Sequence, residues 1–233
     1  MFELTSREWI QITAFGGAGL TLPLAVTIAI WLALGYSLGR AIAWLGVLGA
    51  GITLVVLTKV AFLGWGIGIR AWDFTGVSGH AMLSSSVYPV ALFLLLARAR
   101  THWRMLAIVL GLAGGVAVGL SRVALDAHSP SEAIIGCLCG ASTALAFIAS
   151  TWHAQPRRWS VPAVAISLIL VTMALHGVTV PSQRWVTKVA LQLSGHHHPY
   201  VRARWRANPH YRPASQEFPA FGRPVPNALI AHT

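Results

Sequence analysis

Long uncharged, apolar runs alternate with short polar segments along this chain. The runs are residues 9–39, 41–58, 74–97, 105–121, 133–156 and 159–183. Five of them reach or approach the ~20 residues that cross the hydrocarbon core of a bilayer as a helix. The second run reaches that length once it continues past Lys59 to Leu63. Six membrane-spanning helices are therefore predicted, because a helix pairs its own backbone polar groups in lipid. We place them near residues 20–38, 42–63, 81–97, 105–120, 133–151 and 160–179.

Composition supports this assignment. Hydrophobic residues make up 55% of the 233-residue chain and charged residues only 10%. A soluble domain of this size needs far more charge to cover its surface. We therefore predict an all-α fold, a polytopic membrane helix bundle of about six transmembrane helices in residues 1–179. The N-terminus lacks the basic segment and cleavage site of a signal peptide, so the first helix is expected to act as an uncleaved insertion signal.

Residues 180–233 differ in composition from the rest of the chain. They are rich in Pro, Arg and His and show little helical or strand periodicity, which predicts a disordered basic tail with a possible affinity for anionic lipid headgroups. This tail contributes much of the formal net charge of +11. The charge therefore does not indicate nucleic acid as a partner. The run His196 to His198 has no flanking Cys or carboxylate, so no metal site is predicted there.

The basic residues of the loops predict the orientation of the bundle. Arg residues occupy the first, third and fifth loops, at positions 40, 98, 100, 104, 157 and 158. By the positive-inside rule these loops face the cytoplasm, and the second and fourth loops face outwards. Six spans would also place both termini outside, where seven basic residues beyond residue 180 conflict with the rule. A span count that differs by one would remove this conflict.

The fourth loop, residues 121–132, holds the most informative cluster. Two of the six acidic residues of the chain, Asp126 and Glu132, lie here beside Arg122 and His128. Charge between membrane-length segments is costly and asks for a chemical reason. Ser129 and Glu132 also have a structural explanation, a capping box that opens the fifth helix. A capping box does not account for Arg122 or His128. Their structural explanations are an interfacial side chain for Arg122 and an ordinary loop histidine for His128.

The second loop offers a matching cluster. Ser78 is placed to cap the third predicted helix, Gly79 allows close backbone approach, and His80 lies in the first turn. Upstream, Lys59 and Arg70 flank a glycine-rich segment. These two cations are either interface anchors or ligands for phosphoryl oxygens.

Together these motifs resemble the type 2 phosphatidic acid phosphatase (PAP2) superfamily, which includes membrane lipid phosphatases and soluble vanadium haloperoxidases. Its signature has three parts, K-x6-R-P, P-S-G-H and S-R-x5-H-x3-D. The third part is matched by Ser121, Arg122 and His128, and the second by Ser78, Gly79 and His80. The resemblance covers roughly residues 55–150.

Three positions depart from the signature. Val77 replaces the proline before Ser78, and Glu132 replaces the final aspartate, which keeps the carboxylate but adds a methylene. In the first part, Gly66 stands where the arginine is expected after Lys59, and no proline follows Arg70. Lys59 and Arg70 therefore either share the family's role at changed spacing, or one of them takes no part.

The resemblance implies a set of roles. His128 is the nucleophile that forms a phosphohistidine, Glu132 orients its ring with Asp126 as the less favoured orienter, and His80 is the general acid and base. The residues implied in phosphate binding are Arg122, Arg70, Lys59, Ser78 and Gly79. These cations would supply the charge that a metal provides elsewhere, so no metal or other cofactor is expected.

The function predicted from this resemblance is metal-independent hydrolysis of a lipid phosphate or isoprenoid pyrophosphate. The site would lie at the outer or periplasmic face of a bacterial inner membrane, among membrane lipids. A different class of function remains open: a catalytically weak protein that binds or translocates anionic phospholipids. Retained histidines argue against that alternative, because binding alone needs cations but no nucleophile. The sequence does not indicate an oligomeric state.

Overall fold

A computed structural model describes residues 4–157, 160–208 and 210–213, and these residues are all-α without a β-strand. A single 3-10 turn, Arg70–Trp72, lies between the third and fourth helices. The helices are α1 (Ser6–Ala14), α2 (Ala18–Gly35), α3 (Leu38–Trp65), α4 (Gly79–Leu95), α5 (Thr101–Ala124), α6 (Pro130–Thr151), α7 (Val161–Leu175), α8 (Ser182–Ser194) and α9 (Arg202–Ala207).

The predicted membrane helix bundle is confirmed. Each of the six predicted helices coincides, within a few residues, with one of α2 to α7. Within the described residues, four helical segments are long and apolar enough to cross a membrane: α1 with α2, then α3, α5 and α6. The helices α4 and α7 are apolar but shorter, with 17 and 15 residues. Large apolar side chains cover the outside of the bundle, among them Leu57, Leu120, Leu138, Ile169 and Met173, as expected for a surface in contact with lipid.

The central helix is α4, in which every residue from Ala81 to Val87 is buried. Helices α5 and α6 pack closely against it through glycines spaced four residues apart, Gly111 and Gly115 on α5 and Gly136 and Gly140 on α6. Such small residues let helix backbones approach in a membrane. The approach is close enough for the N–H of Ser78, just before α4, to donate to the carbonyl of Glu132 in α6 at 3.2 Å. The second and fourth loops therefore meet at one end of the bundle.

The segments before and after the bundle lie at this same end. Helix α1 packs against α5, and α8 packs against α3. The chain after α8 is anchored at the end of α3, because the Tyr200 N–H donates to the Leu63 carbonyl at 3.0 Å and the Trp205 indole donates to the Gly66 carbonyl at 3.0 Å.

This arrangement corrects the expectation of a disordered tail from residue 180 onward. Residues 182–194 and 202–207 are helical, and Trp205 is only 3% exposed. Its ring packs edge-on against Phe62 at 5.4 Å. The prediction overlooked the amphipathic pattern of α8, whose 13 residues are long enough to show one. The six residues of α9 are too few to show a period, and that helix is held by contacts with α3, not by its own propensity. The part of the predicted tail from residue 214 onward lies outside the described residues.

Candidate active site

A cavity of about 650 Å³ opens where the two loops meet. Its polar wall contains Lys59, His80, Arg122, His128, Glu132 and Arg202. Its apolar wall comes mainly from α2 and α3, with Leu22, Ile52, Val55, Val56 and Phe62. The cavity is therefore amphipathic, since it is lined both by charged and polar groups and by a hydrocarbon-like surface.

His128 and Glu132 are in direct hydrogen-bond contact on the polar wall of the cavity. The Nδ1 atom of His128 lies 2.6 Å from Oε2 of Glu132. A carboxylate only accepts hydrogen bonds, so Nδ1 carries the proton and Nε2 keeps its lone pair. In the neutral imidazole this leaves Nε2 unprotonated and able to attack an electrophile.

The start of α6 explains how Glu132 is positioned. Ser129 is the N-cap and Pro130 the first helical residue. The Ser129 N–H donates to Oε2 of Glu132 at 3.3 Å, and the Glu132 N–H donates back to the Ser129 hydroxyl at 3.4 Å. The predicted capping box is thus confirmed. One carboxylate oxygen both caps the helix and holds the histidine four residues earlier.

The second oxygen of Glu132 is held from outside the helix. Oε1 accepts from the Thr75 N–H at 2.7 Å and from the Thr75 hydroxyl at 2.6 Å. It also forms an ion pair with the guanidinium of Arg202. The Glu132 side chain is 1% exposed, and a buried carboxylate of this kind is stable only when charge and hydrogen bonds compensate it.

The surroundings of His128 keep it neutral. Burial lowers the pKa of His128 from its ordinary value of 6.5, and the nearby Lys59 and Arg122 charges act in the same direction, while the hydrogen bond to Glu132 opposes them. A neutral imidazole at pH 7 is the form that attacks an electrophile.

Arg122 and Lys59 supply positive charge to the cavity. Arg122 donates from Nη1 to the Thr13 hydroxyl of α1 at 3.0 Å, and its Nε is buried without a hydrogen-bond partner among the described residues. Lys59 donates to the Gln183 side chain of α8 at 3.3 Å. A buried unpaired donor on a cation is costly and is satisfied by an anionic ligand.

The start of α4 contributes neutral donors. Ser78 is the N-cap residue, but its hydroxyl does not cap the helix; it is buried without a partner in the described part of the chain. Among the described residues Ser78 is absent from the cavity wall, so its predicted phosphate contact has no geometric support. Gly79 and His80 line the cavity in the first turn, where backbone N–H groups have no partner within the helix. The N-terminus of α4 is therefore suited to binding an anion.

Arg70 is not brought to this cavity. It is exposed, donates to the Asn208 carbonyl at 3.4 Å, and stacks over the Trp205 ring at 4.6 Å. Among the described residues it is absent from the cavity wall, so its predicted phosphate contact has no geometric support.

Asp126, the less favoured orienter, is exposed with a φ of 51°. Glu132, not Asp126, contacts Nδ1 of His128.

Arg202 lines the cavity instead and was not identified from the sequence. The local signal is weak: Arg202, Arg204 and Arg206 are separated by Ala203 and Trp205. Residues two apart do not share a helix face, so this pattern predicts no basic helix face and identifies no partner 70 positions away.

Comparison with known proteins agrees with this geometry. The family model of the PAP2 superfamily matches residues 58–156, which contain both loops. The chain is 36% identical over 201 residues to a protein from Klebsiella pneumoniae described as an uncharacterized 22.5 kDa protein in the cps region, covering 84% of this chain and 96% of that protein. No solved structure matches the chain significantly. The matched region, the histidine loops and the helical bundle together place this membrane protein in the PAP2 superfamily, to which the chain belongs.

Proposed function

We propose that this protein is a metal-independent membrane phosphatase that hydrolyses a lipid phosphate or isoprenoid pyrophosphate through a phosphohistidine. Membership of the PAP2 superfamily suggests phosphatase activity. The observation that carries the mechanism is the 2.6 Å contact of His128 Nδ1 with Glu132, because it leaves Nε2 free to act as a nucleophile.

In the first step, the His128 Nε2 lone pair attacks phosphorus, and the bond between phosphorus and the leaving oxygen breaks. His80, on the same cavity wall, donates a proton to that oxygen. In the second step, His80 accepts a proton from water as the water oxygen attacks phosphorus. The P–N bond breaks, inorganic phosphate leaves and both histidines return to their starting state.

The cations and the start of α4 stabilise the transferring group. Arg122 and Lys59 border the cavity, as do the first-turn residues Gly79 and His80. Phosphoryl transfer depends mainly on positioning and on neutralising the three equatorial oxygens. Fixed cations and backbone N–H groups supply both. The buried unpaired Nε of Arg122 is a donor available for this purpose.

The apolar wall supports an amphiphilic substrate. Leu22 on α2 and Val56 on α3 line the same cavity as His128, so an acyl or prenyl chain would contact them while its phosphate reaches the polar wall. This division favours a lipid phosphate over a small soluble ester.

We further propose that the cavity opens to the periplasmic or outer face of a bacterial inner membrane. Arg40, Arg98 and Arg104 lie at the opposite end of the bundle, where they donate to backbone carbonyls of Ser150, Pro156 and Trp152. Basic residues concentrate on the cytoplasmic side, which supports a periplasmic or outer position for the cavity.

Phosphate release by the detergent-purified protein tests the proposal. A panel of phosphatidic acid, phosphatidylglycerol phosphate and undecaprenyl pyrophosphate would be assayed with EDTA present. We expect release from at least one of them, and His128→Ala should reduce it by about 10³-fold or more, since the nucleophile is lost. His102→Ala, which removes an exposed histidine at the opposite end, is the matched control.

Two outcomes contradict the proposal. Release that is unchanged in His128→Ala excludes the phosphohistidine mechanism. Lipid binding by the wild type without release from any substrate supports instead a protein that binds or translocates anionic phospholipids.

A further inference from the structure

We propose that Arg202, on the C-terminal helix α9, is a positioning residue for the nucleophile and acts on His128 through Glu132. This inference rests on the proposed function in taking His128 as the nucleophile. It adds a component of the site that lies outside the matched region 58–156.

The contacts of Arg202 place its guanidinium behind the carboxylate. It pairs with Oε1 of Glu132, while Oε2 of the same group holds His128. The guanidinium also donates to the Thr75 hydroxyl at 3.2 Å and to the Asp73 carbonyl at 3.3 Å. These contacts link α9, the second loop and α6 in one network that ends at the imidazole.

Gly66 explains how α9 reaches this position. It ends α3 with a φ of 68°, and a Cβ there would lie 2.5 Å from the Tyr200 ring. Any side chain at position 66 would displace Tyr200, and with it the segment that carries Arg202. The glycine stands where the family signature has an arginine, so the site loses one cation from α3 and receives another from α9.

The electrostatic consequence concerns the proton affinity of His128. Arg202 compensates the charge of the buried Glu132. Without it, the uncompensated carboxylate would favour the imidazolium form and remove the nucleophilic lone pair. Besides Glu132, four charged or titratable groups lie around His128: Lys59 of α3, His80 of α4, Arg122 of α5, and Asp126 of the same loop. The substitution of Arg202 removes none of these four groups.

The same helix offers a matched control. Arg206 lies one turn further on, is 61% exposed, and pairs with Asp73 at 3.3 Å but not with Glu132. Arg206→Gln therefore removes the same charge and one contact to the second loop, and leaves the carboxylate compensated. Comparing it with Arg202→Gln separates the effect on Glu132 from the loss of a positive charge on α9.

The test is the pH dependence of kcat and kcat/KM of the full-length protein in detergent. We expect Arg202→Gln to lower kcat at pH 7 by roughly 10- to 100-fold, with KM changed by less than about 3-fold. The acid limb of the pH profile of Arg202→Gln should shift to higher pH by about one unit. Arg202→Lys should recover part of the loss, and Arg206→Gln should stay within about 2-fold of wild type.

A second measurement does not depend on turnover. Titration of ¹⁵N-histidine-labelled protein by NMR, with His128 assigned from His128→Ala, gives the pKa of that ring in each variant. An upward shift in Arg202→Gln but not in Arg206→Gln supports the proposal. Equal His128 titration in both variants overturns it, as does equal kcat. If the wild type releases no phosphate from any substrate, the proposed function fails while this titration still decides the role of Arg202.

Discussion

At the scale of the residue, the site depends on how one carboxylate distributes its two oxygens. Oε2 of Glu132 serves His128 and the cap of α6, and Oε1 serves Thr75 and Arg202. An aspartate, which the family signature has at this position, is one methylene shorter. It cannot span the same distance between the histidine and the second loop without movement of α6. In this chain the glutamate side chain is long enough to contact both His128 and the second loop.

Glu132→Asp should therefore impair the protein, although it restores the residue of the signature. We expect kcat to fall roughly 10-fold with KM little changed, because the ring of His128 is held less well. The control is Asp126→Asn, which replaces the exposed acid of the same loop with a residue that also tolerates a positive φ. Steady-state kinetics would check both. A larger effect of Asp126→Asn than of Glu132→Asp would identify Asp126 as the orienting acid.

At the scale of the element, the glycines of α5 and α6 determine how closely the loops approach. A Cβ at Gly140 would overlap the Met82 carbonyl and lie 2.7 Å from the Ser85 Cβ, and a Cβ at Gly136 would lie 2.7 Å from the Ser78 carbonyl. At these glycines the backbone of α6 lies against the backbone of α4 and the start of its side chains, with no room for a methyl group. The hydrogen bond from Ser78 to Glu132 depends on that approach.

Gly140→Ala should destabilise the bundle by about 1–3 kcal/mol through overpacking. Gly49→Ala is the matched control, because nothing lies within 4 Å of a Cβ at that position of α3, and it should be neutral or stabilising by up to about 1 kcal/mol from helix propensity. Thermal unfolding in detergent would measure both. Equal melting temperatures for the two variants would show that close contact between α4 and α6 is not required.

At the scale of the whole molecule, both ends of the described chain lie on the side of the cavity. Thr13 of α1 accepts a hydrogen bond from Arg122, and Gln183 of α8 accepts one from Lys59. This requires an even number of crossings between them, a condition that both four and six spans satisfy. Two of the basic residues beyond residue 180, whose charge conflicts with the positive-inside rule, have acidic partners. Arg202 pairs with Glu132, and Arg206 pairs with Asp73.

This topology predicts a labelling pattern in intact cells. In a background lacking Cys137 and Cys139, the exposed positions would be changed one at a time, as Arg7→Cys in α1, Lys188→Cys in α8 and Arg157→Cys after α6. A membrane-impermeant maleimide should label positions 7 and 188 from the outside, and position 157 only after the membrane is opened. Labelling of positions 7 and 188 from opposite sides would exclude an even span count.

Local patterns were enough to predict the membrane helices and the capping box, whereas the contact of Glu132 with His128 was implied by the resemblance to the PAP2 superfamily. Hydrophobic run length determines whether a segment spans lipid, and residues four apart at a helix start lie within reach of one another. Contacts between distant segments decided the rest. Arg70 turned away to stack on Trp205, Gly66 made room for Tyr200, and Arg202 came to Glu132 from 70 positions along the chain. No periodicity encodes such pairs, because they arise only when α9 packs against the end of α3.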